Sequence, residues 1–290
     1  MAIVSHGAPD LLRECLRSFE TTADVKPKRV TVVDSGSPDS VPEMVAREFP
    51  WVDLVRRGNI GFAAANNLVL REPACEFILL LNPDTELRNG TLKSCLERMD
   101  LDPSIGIVGC KLVLPSGELD HACKRSFPTP LSALAHFTGI GRSGSAPKQL
   151  SQYRATDLGE DEPGPVDAVN GAFMLVRVEA IREVGPLDEG YWLYMEDLDW
   201  CYRFWQRGWT VFYEPSGVAL HHKGGSSGTR RGLRQEAAFH RGMGRFYRKF
   251  YAPSGSPLNS AAVYLGIGLK LLVSLAASAA SILRVRGRQP

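Results

Sequence analysis

The sequence has no cysteine pair spaced as CxxC, although Cys15, Cys75, Cys95, Cys110, Cys123 and Cys201 are present. That spacing gives little support to a zinc site, and predicts buried free thiols in a reducing compartment. No basic and apolar leader stands before the strand-like Ala2-Ile3-Val4, so a cytoplasmic location is expected. No Gly-x-Gly-x-x-Gly follows a strand-like run, which argues against a dinucleotide-dependent oxidoreductase. No internal repeat is visible. No Asp or Glu occurs after Glu236, while Arg241, Arg245, Arg248, Lys249, Lys270, Arg284, Arg286 and Arg288 all lie beyond it. A tail of one sign suits an anionic neighbour, and its long apolar run points to a membrane surface and not to nucleic acid.

What is present describes an α/β chain. With 290 residues, 44% of them hydrophobic and 23% charged, the sequence can bury a full core. Ala2–Val4, Arg29–Val33, Val52–Val55 and Phe77–Leu81 read as strands; Leu11–Phe19, Val41–Phe49 and Phe62–Leu70 read as helices between them. Such alternation predicts a mostly parallel central sheet flanked by helices. A Gly-, Ser- and Pro-rich stretch over Arg142–Pro165 reads as a loop, Val166–Val178 as a strand, and Val211–Leu220 as a hairpin or two short strands around Pro215-Ser216-Gly217. A helix is expected to begin near Glu196. The stretch Leu258–Leu283 holds one charge, Lys270, and is long enough to span a bilayer core of about 30 Å. Basic residues flank it on both sides, so a helix lying in the membrane surface fits better than a spanning one; a buried helix of the domain is the alternative.

Acidic signals fall at the carboxyl ends of predicted strands, where ligands bind in open α/β sheets. Asp34 ends one strand, and either caps the Ser35-Gly36-Ser37 turn or accepts a hydrogen bond from a base or ribose; the two roles are compatible. Asn82-Pro83-Asp84 ends another. Alone it reads as a turn, yet a carboxylate there also suits Mg²⁺ or Mn²⁺, which take one or two protein carboxylates beside substrate phosphates. In His221-His222-Lys223-Gly224-Gly225, adjacent side chains on extended chain point opposite ways, so one histidine meets the cleft. Glu196, Asp197 and Asp199 crowd a helix start among Tyr191, Trp192, Tyr194 and Trp200. Part of that pattern suits the helix dipole, and aromatic walls around Asp197 favour a proton acceptor.

Taken in order, these stretches resemble glycosyltransferase family 2, the inverting enzymes of the GT-A fold, and within it bacterial rhamnosyltransferases. The matching segments are Val32–Ser37, Asn59–Ala63, Leu81–Thr85, Val169–Phe173, Gly185–Glu189, Met195–Asp199 and His221–Ser226. The opening Ser5-His6-Gly7 lacks the Thr-Tyr-Asn usual after the first strand, and Lys223 stands where a glycine is common. The resemblance implies a GT-A catalytic domain over residues 1–228 and a basic, apolar helical extension over 229–290. It implies donor contacts from Ser5, Asp34, Ser35, Gly61, Asn66, Asn82 and Asp84, with a divalent metal (Mg²⁺ or Mn²⁺) held by Asp84 and His221. Asp197 would be the base that deprotonates the acceptor, with Glu196 beside it; Trp192, Asp188 and His222 would face the acceptor.

The implied reaction is a single displacement that moves a sugar from a nucleotide-diphosphate donor, preferably L-rhamnose from its deoxythymidine-diphosphate form. The acceptor would be a lipid-linked polyprenyl-diphosphate or polysaccharide hydroxyl in cell-envelope assembly. The protein would sit peripherally on the inner face of the membrane, as a monomer or a homodimer, with no nucleic-acid partner. The alternatives are transfer of another sugar, such as galactofuranose from a uridine donor, and a degenerate scaffold that binds nucleotide sugar or glycan. A sugar nucleotidyltransferase would need a Gly-rich basic loop after the first strand, which Ser5-His6-Gly7-Ala8-Pro9 does not supply.

Overall fold

The sheet is built outward from strands too apolar to tolerate water on either face. The computed structural model of the chain describes residues 1–22, 25–71, 73, 75–128, 158–224 and 232–286. In its first half, β1 (Ala2–Ser5), β2 (Thr31–Ser35), β3 (Asp53–Arg57) and β4 (Phe77–Leu81) lie parallel in the order β3-β2-β1-β4. Helices α1 (Pro9–Thr22), α2 (Val41–Glu48) and α3 (Phe62–Leu70) connect them. Along β4, Leu79 and Leu81 join a core cluster with Leu12, Leu16 and Met44, whereas Ile78 and Leu80 join another with Ala63 and Leu70. The alternation is the period of two expected of a strand covered on both faces.

The second half is mixed. β5 (Thr85–Leu87) and helix α4 (Thr91–Leu101) lead to β6 (Ile105–Val113); a short β7 (Lys124–Arg125) follows. After β8 (Gly164–Pro165) and β9 (Ala168–Val169) comes β10 (Phe173–Arg177), which runs antiparallel between β4 and β6. Helices α5 (Val178–Val184) and α6 (Glu196–Gln206) precede β11 (Thr210–His221), which pairs parallel with β6 and antiparallel with β5 and β8. Parallel ladders still carry most of the pairing. The strand order reverses between β1 and β4, the switch point beyond whose carboxyl ends ligands bind in such sheets.

Two local expectations are corrected. Val166–Val178 is not one strand: Asn170 Oδ1 accepts from Ala172 N at 2.9 Å and its carbonyl from Phe173 N at 3.1 Å, a turn that splits β9 from β10. Val211–Leu220 is neither a hairpin nor two short strands, because β11 runs through Pro215-Ser216-Gly217 with a register shift against β6 between Glu214 and Val218. The buried Glu214 carboxylate accepts from Ser216 N at 3.2 Å and from Arg98 Nε at 2.8 Å, so the bulge is satisfied from within and the strand continues. Part of the loop expected over Arg142–Pro165 lies outside the described residues, as do Gly225-Ser226-Ser227.

Helix α7 (Leu233–Phe250) packs against the same face as α6. Phe246 joins Leu198, Trp200 and Phe204 in one core, and burying each such side chain contributes about 1.5–3 kcal/mol. Helix α8 (Pro257–Arg286) covers the stretch expected to be helical, and its segment Pro257–Ser278 is long and apolar enough to cross a membrane. Leu258, Leu265, Leu269, Leu272 and Val273 are exposed along it, which rules out a buried helix of the domain. The C-terminal helix is therefore apolar enough, and open enough to solvent, to associate with a membrane.

Candidate active site

The parallel register sets Ser5 on β1 opposite Asp34 on β2, and both are buried at the sheet edge. Asp34 Oδ1 accepts from Ser37 N at 3.1 Å, so it does cap the turn that follows its strand. The loops after β1 and β2 are tied together: Gly7 N donates to Ser37 Oγ at 2.8 Å, and His6 Nδ1 lies 2.9 Å from the Ser35 carbonyl oxygen. Gly61 has φ +92°, and a Cβ there would stand 2.6 Å from the Trp192 carbonyl oxygen. That absence lets Phe62 N donate to Trp192 O at 2.8 Å, which carries the Trp192 loop onto the start of α3. Asn66 is buried with its amide turned back to Phe62 O at 3.0 Å.

β4 delivers the second acidic signal. Asn82 N donates to Ala172 O at 3.0 Å, and Asp84 is buried just beyond the strand end. The antiparallel register sets His221 of β11 opposite Thr85, next to Asp84, and His221 Nε2 lies 3.5 Å from Asp84 Oδ1. The other imidazole nitrogen, Nδ1, is 2.9 Å from Asp120 Oδ2, while Asp120 Oδ1 accepts from Lys223 Nζ at 2.8 Å. Burial alone would lower the His221 pKa, but the two carboxylates raise it to about 9. Asp120, although buried, is held well below the usual carboxylate range by His221 and Lys223. His222 points the other way, its Nε2 2.5 Å from Glu86 Oε1, so one histidine meets the cleft as expected.

A divalent cation fits this donor set. Asn82 Oδ1 is buried with no hydrogen-bond partner among the described residues, two positions before Asp84, whose Oδ1 lies 3.5 Å from His221 Nε2. No group of three or more His, Cys, Asp or Glu converges there among the described residues. Mg²⁺ and Mn²⁺ take one or two protein carboxylates where substrate phosphates complete the shell.

The crowded carboxylates separate into distinct environments. Asp197 Oδ2 accepts from Arg125 Nη2 at 2.6 Å and Gly171 N at 3.2 Å, and its Oδ1 from Leu198 N at 2.8 Å. Its nearest charged wall is a guanidinium, not the aromatic surround read from the sequence. Glu196 is the one that burial governs: its Oε2 has no partner among the described residues, and burial followed by the Asp197 charge raises its pKa to about 8. Asp199 is fully buried and structural, accepting from Tyr191, Arg203 and Lys249.

The segment before α6 forms the remaining wall. Asn67 Nδ2 donates to Leu187 O at 2.8 Å and its Oδ1 accepts from Leu187 N at 3.0 Å, fixing this segment to α3. Asp188 accepts from Arg245 and Lys249 of α7, at 2.8 and 3.0 Å. The Arg234 guanidinium lies 4.2 Å over the Trp192 ring, whose Nε1 is buried without a partner among the described residues.

Comparison with known proteins sets this geometry in a family. The profile of Glycosyl transferase family 2 matches residues 1–140. An N-acetylglucosaminyl-diphospho-decaprenol L-rhamnosyltransferase of Mycobacterium tuberculosis is 30% identical over 218 residues, covering 71% of this chain and 70% of its own length. The chain belongs to glycosyl transferase family 2. Rhamnosyltransferase WbbL of Escherichia coli K12 is 27% identical over 228 residues, covering 76% of this chain and 81% of that protein. Solved structures share the fold. A mannosyltransferase of Pyrobaculum calidifontis, solved with GDP-Man and Mn²⁺, superposes over the whole chain and 75% of its own, with TM-score 0.57 at 16% identity. GalNAc-T7, solved with UDP, GalNAc and Mn²⁺, covers 87% of this chain with TM-score 0.60 at 14% identity; the chain spans 47% of that protein. This family 2 member is a glycosyltransferase with the GT-A architecture, and inversion is typical of its family.

Sequence reading of this transferase missed Asp120 and Arg125. Asp120 is 101 residues from His221 and Arg125 is 72 from Asp197, so no spacing rule joins them. Asn67 adjoined the Asn66 that was singled out, and the sequence carries no sign of which amide reaches across the cleft.

Proposed function

We propose that the protein transfers L-rhamnose from deoxythymidine-diphosphate rhamnose to a hydroxyl of a polyprenyl-diphosphate-linked glycan, at the cytoplasmic face of the membrane. The observation that carries the substrate class is the similarity, over more than two thirds of the chain, to two rhamnosyltransferases. One of them is named for an N-acetylglucosaminyl-diphospho-decaprenol acceptor. The exposed apolar α8 and the acid-free basic tail support such an acceptor, which is anionic and held in a bilayer.

Asp34, with Ser5 and Ser35, holds the nucleoside at the ends of β1 and β2. Asn82, Asp84 and His221, the last by giving up the proton that its two carboxylates favour, would hold a divalent cation, which when bound neutralises the charge that develops on the leaving diphosphate. Asp120 fixes the His221 ring by its hydrogen bond to Nδ1, the usual office of a carboxylate behind a metal-binding histidine. Asp197 takes the proton from the acceptor hydroxyl as that oxygen attacks the anomeric carbon from the face opposite the leaving group. Arg125 orients Asp197 through Oδ2. Neutral Glu196 keeps a second negative charge away from the attacking oxygen. Trp192, capped by Arg234, lines the acceptor side, whereas Asp188 supports it through its ion pairs with α7 and His222 through its hydrogen bond with Glu86.

The test is calorimetric binding of thymidine, uridine and guanosine diphosphates with and without Mn²⁺, followed by transfer to a short-chain polyprenyl-diphosphate N-acetylglucosamine. Metal-dependent preference for thymidine diphosphate, with an inverted anomeric product by NMR, is the expected result. Preference for uridine diphosphate would replace rhamnose with another sugar, and binding of none would favour a degenerate scaffold.

A further inference from the structure

We infer that helix α7 is a positioning element for the catalytic carboxylates, clamping the turn that aims Glu196 and Asp197; this rests on the proposed role of Asp197 in transfer. The turn needs a clamp. Tyr194 and Met195, the two residues before Glu196, have φ of +70° and +73°, and neither is a glycine. Consecutive left-handed residues with side chains are strained and persist only where the surroundings hold them.

The surroundings are one face of α7. Phe239 meets Tyr194 edge-on at 6.0 Å between ring centroids. One turn on, Gly242 lies so close that a Cβ would come within 3.0 Å of Met195 Cγ and 3.1 Å of the Tyr194 carbonyl oxygen. Arg245 then forks onto Asp188, with Nη2 at 2.8 Å from Oδ1 and Nε at 3.2 Å from Oδ2. Its guanidinium lies across Gly190, where a Cβ would stand 2.1 Å from Cζ. Lys249 reaches both ends of the strained turn, Asp188 at 3.0 Å before it and Asp199 at 2.6 Å after it. Positions 239, 242, 245 and 249 recur at helical spacing, so a single stripe makes these four contacts.

The opposite side of the segment is held by α3, through Asn67 on Leu187, Arg71 on Glu189 and Phe62 on Trp192. The first turn of α6 is thus aimed by two helices, one from the nucleotide half and one from the carboxyl-terminal region. An error of about 1 Å in a reacting group costs on the order of 100-fold in rate. None of these α7 residues is required to touch substrate.

The test uses the full-length protein with Lys249→Met, Gly242→Val and Gly190→Ala. The last variant displaces the Arg245 guanidinium from an exposed loop position without entering the core. The expected result is kcat lower by about 10- to 100-fold with donor KM unchanged. Lys249→Arg should restore most of the rate, and hydrogen exchange should rise over residues 188–197 but not in β1 to β4. Unchanged kcat, or a rise in donor KM together with faster exchange across the sheet, would overturn the inference. The exchange measurement needs no substrate. An inactive wild type with the local exchange response intact therefore counts against the proposed substrates and for the clamp, whereas an active wild type whose variants match it in both readouts counts against the clamp.

Discussion

Asp197→Asn isolates the proton-accepting role with little change of shape. The amide keeps the volume of the carboxylate and can still accept from Leu198 N, which stands 2.8 Å from Oδ1 in the wild type. What it loses is charge opposite Arg125, at 2.6 Å and with side-chain exposures of 12% and 13%. A charge-assisted hydrogen bond at such a site contributes about 1.5–3 kcal/mol, and leaving the guanidinium without its counter-charge adds to the cost. The fold should survive that loss, because Arg125 Nη2 also donates to Val169 O at 2.6 Å. Transfer should fall by about 10²–10⁴-fold, the usual contribution of a positioned base. Nucleotide binding should hardly change, since Asp34 lies on β2 and Asp84 just beyond the end of β4, whereas Asp197 belongs to α6. The assay pairs transfer kinetics with calorimetric titration of thymidine diphosphate. If donor affinity and rate fell in the same proportion, Asp197 would be a binding residue and the base assignment would be refuted.

Three further outcomes are expected. Glu196 has a folded pKa of about 8 against an ordinary 4.5, so its contribution to stability is full below about pH 4.5 and is lost as pH rises through 8. Glu196→Gln should therefore unfold at the same denaturant concentration as wild type in acid and at a higher one in alkali; parallel pH curves would refute the buried assignment. Asp120→Asn removes the carboxylate behind His221, and should weaken Mn²⁺ binding in the presence of nucleotide by about 10- to 100-fold, read by electron paramagnetic resonance. Undiminished Mn²⁺ affinity would remove His221 from the cation site. Truncation after Pro253 deletes α8 and keeps α7, so binding to anionic vesicles should vanish while kcat on a water-soluble acceptor persists; continued sedimentation with vesicles would refute the membrane role of α8.

The readable parts of the site are those in which one local rule suffices. Phe77–Leu81 is apolar throughout and ends in Asn-Pro-Asp, so its burial on both faces and its exit at the sheet edge follow from adjacent residues. Asp34 at the end of β2 and the carboxylates at the start of α6 are legible for the same reason. Pro215-Ser216-Gly217 misleads because its turn chemistry is real; only Arg98, 116 residues from Glu214, shows how the strand absorbs the bulge. Asp188 carries no sign that its partners lie 57 and 61 residues on. Spacing encodes the path of the chain, and these partners meet only after the sheet has closed.

The pairing of Glu196 with Asp197 has its own physical logic. Consecutive residues on a helix point about 100° apart, so two neighbouring carboxylates cannot share one environment. Here the first turns into the protein and is 5% exposed, while the second turns to Arg125 and the Gly171 amide. Burial and the adjacent charge raise the first to about 8, which leaves it neutral at physiological pH. Two charges side by side would repel each other and raise the cost of the folded site. One neutral and one ion-paired carboxylate avoid that cost and present a single acceptor to the substrate. Replacing Arg125 by methionine would remove the asymmetry from the other side, and should slow transfer without making Glu196 a substitute base, because Glu196 would still lie buried away from the cleft.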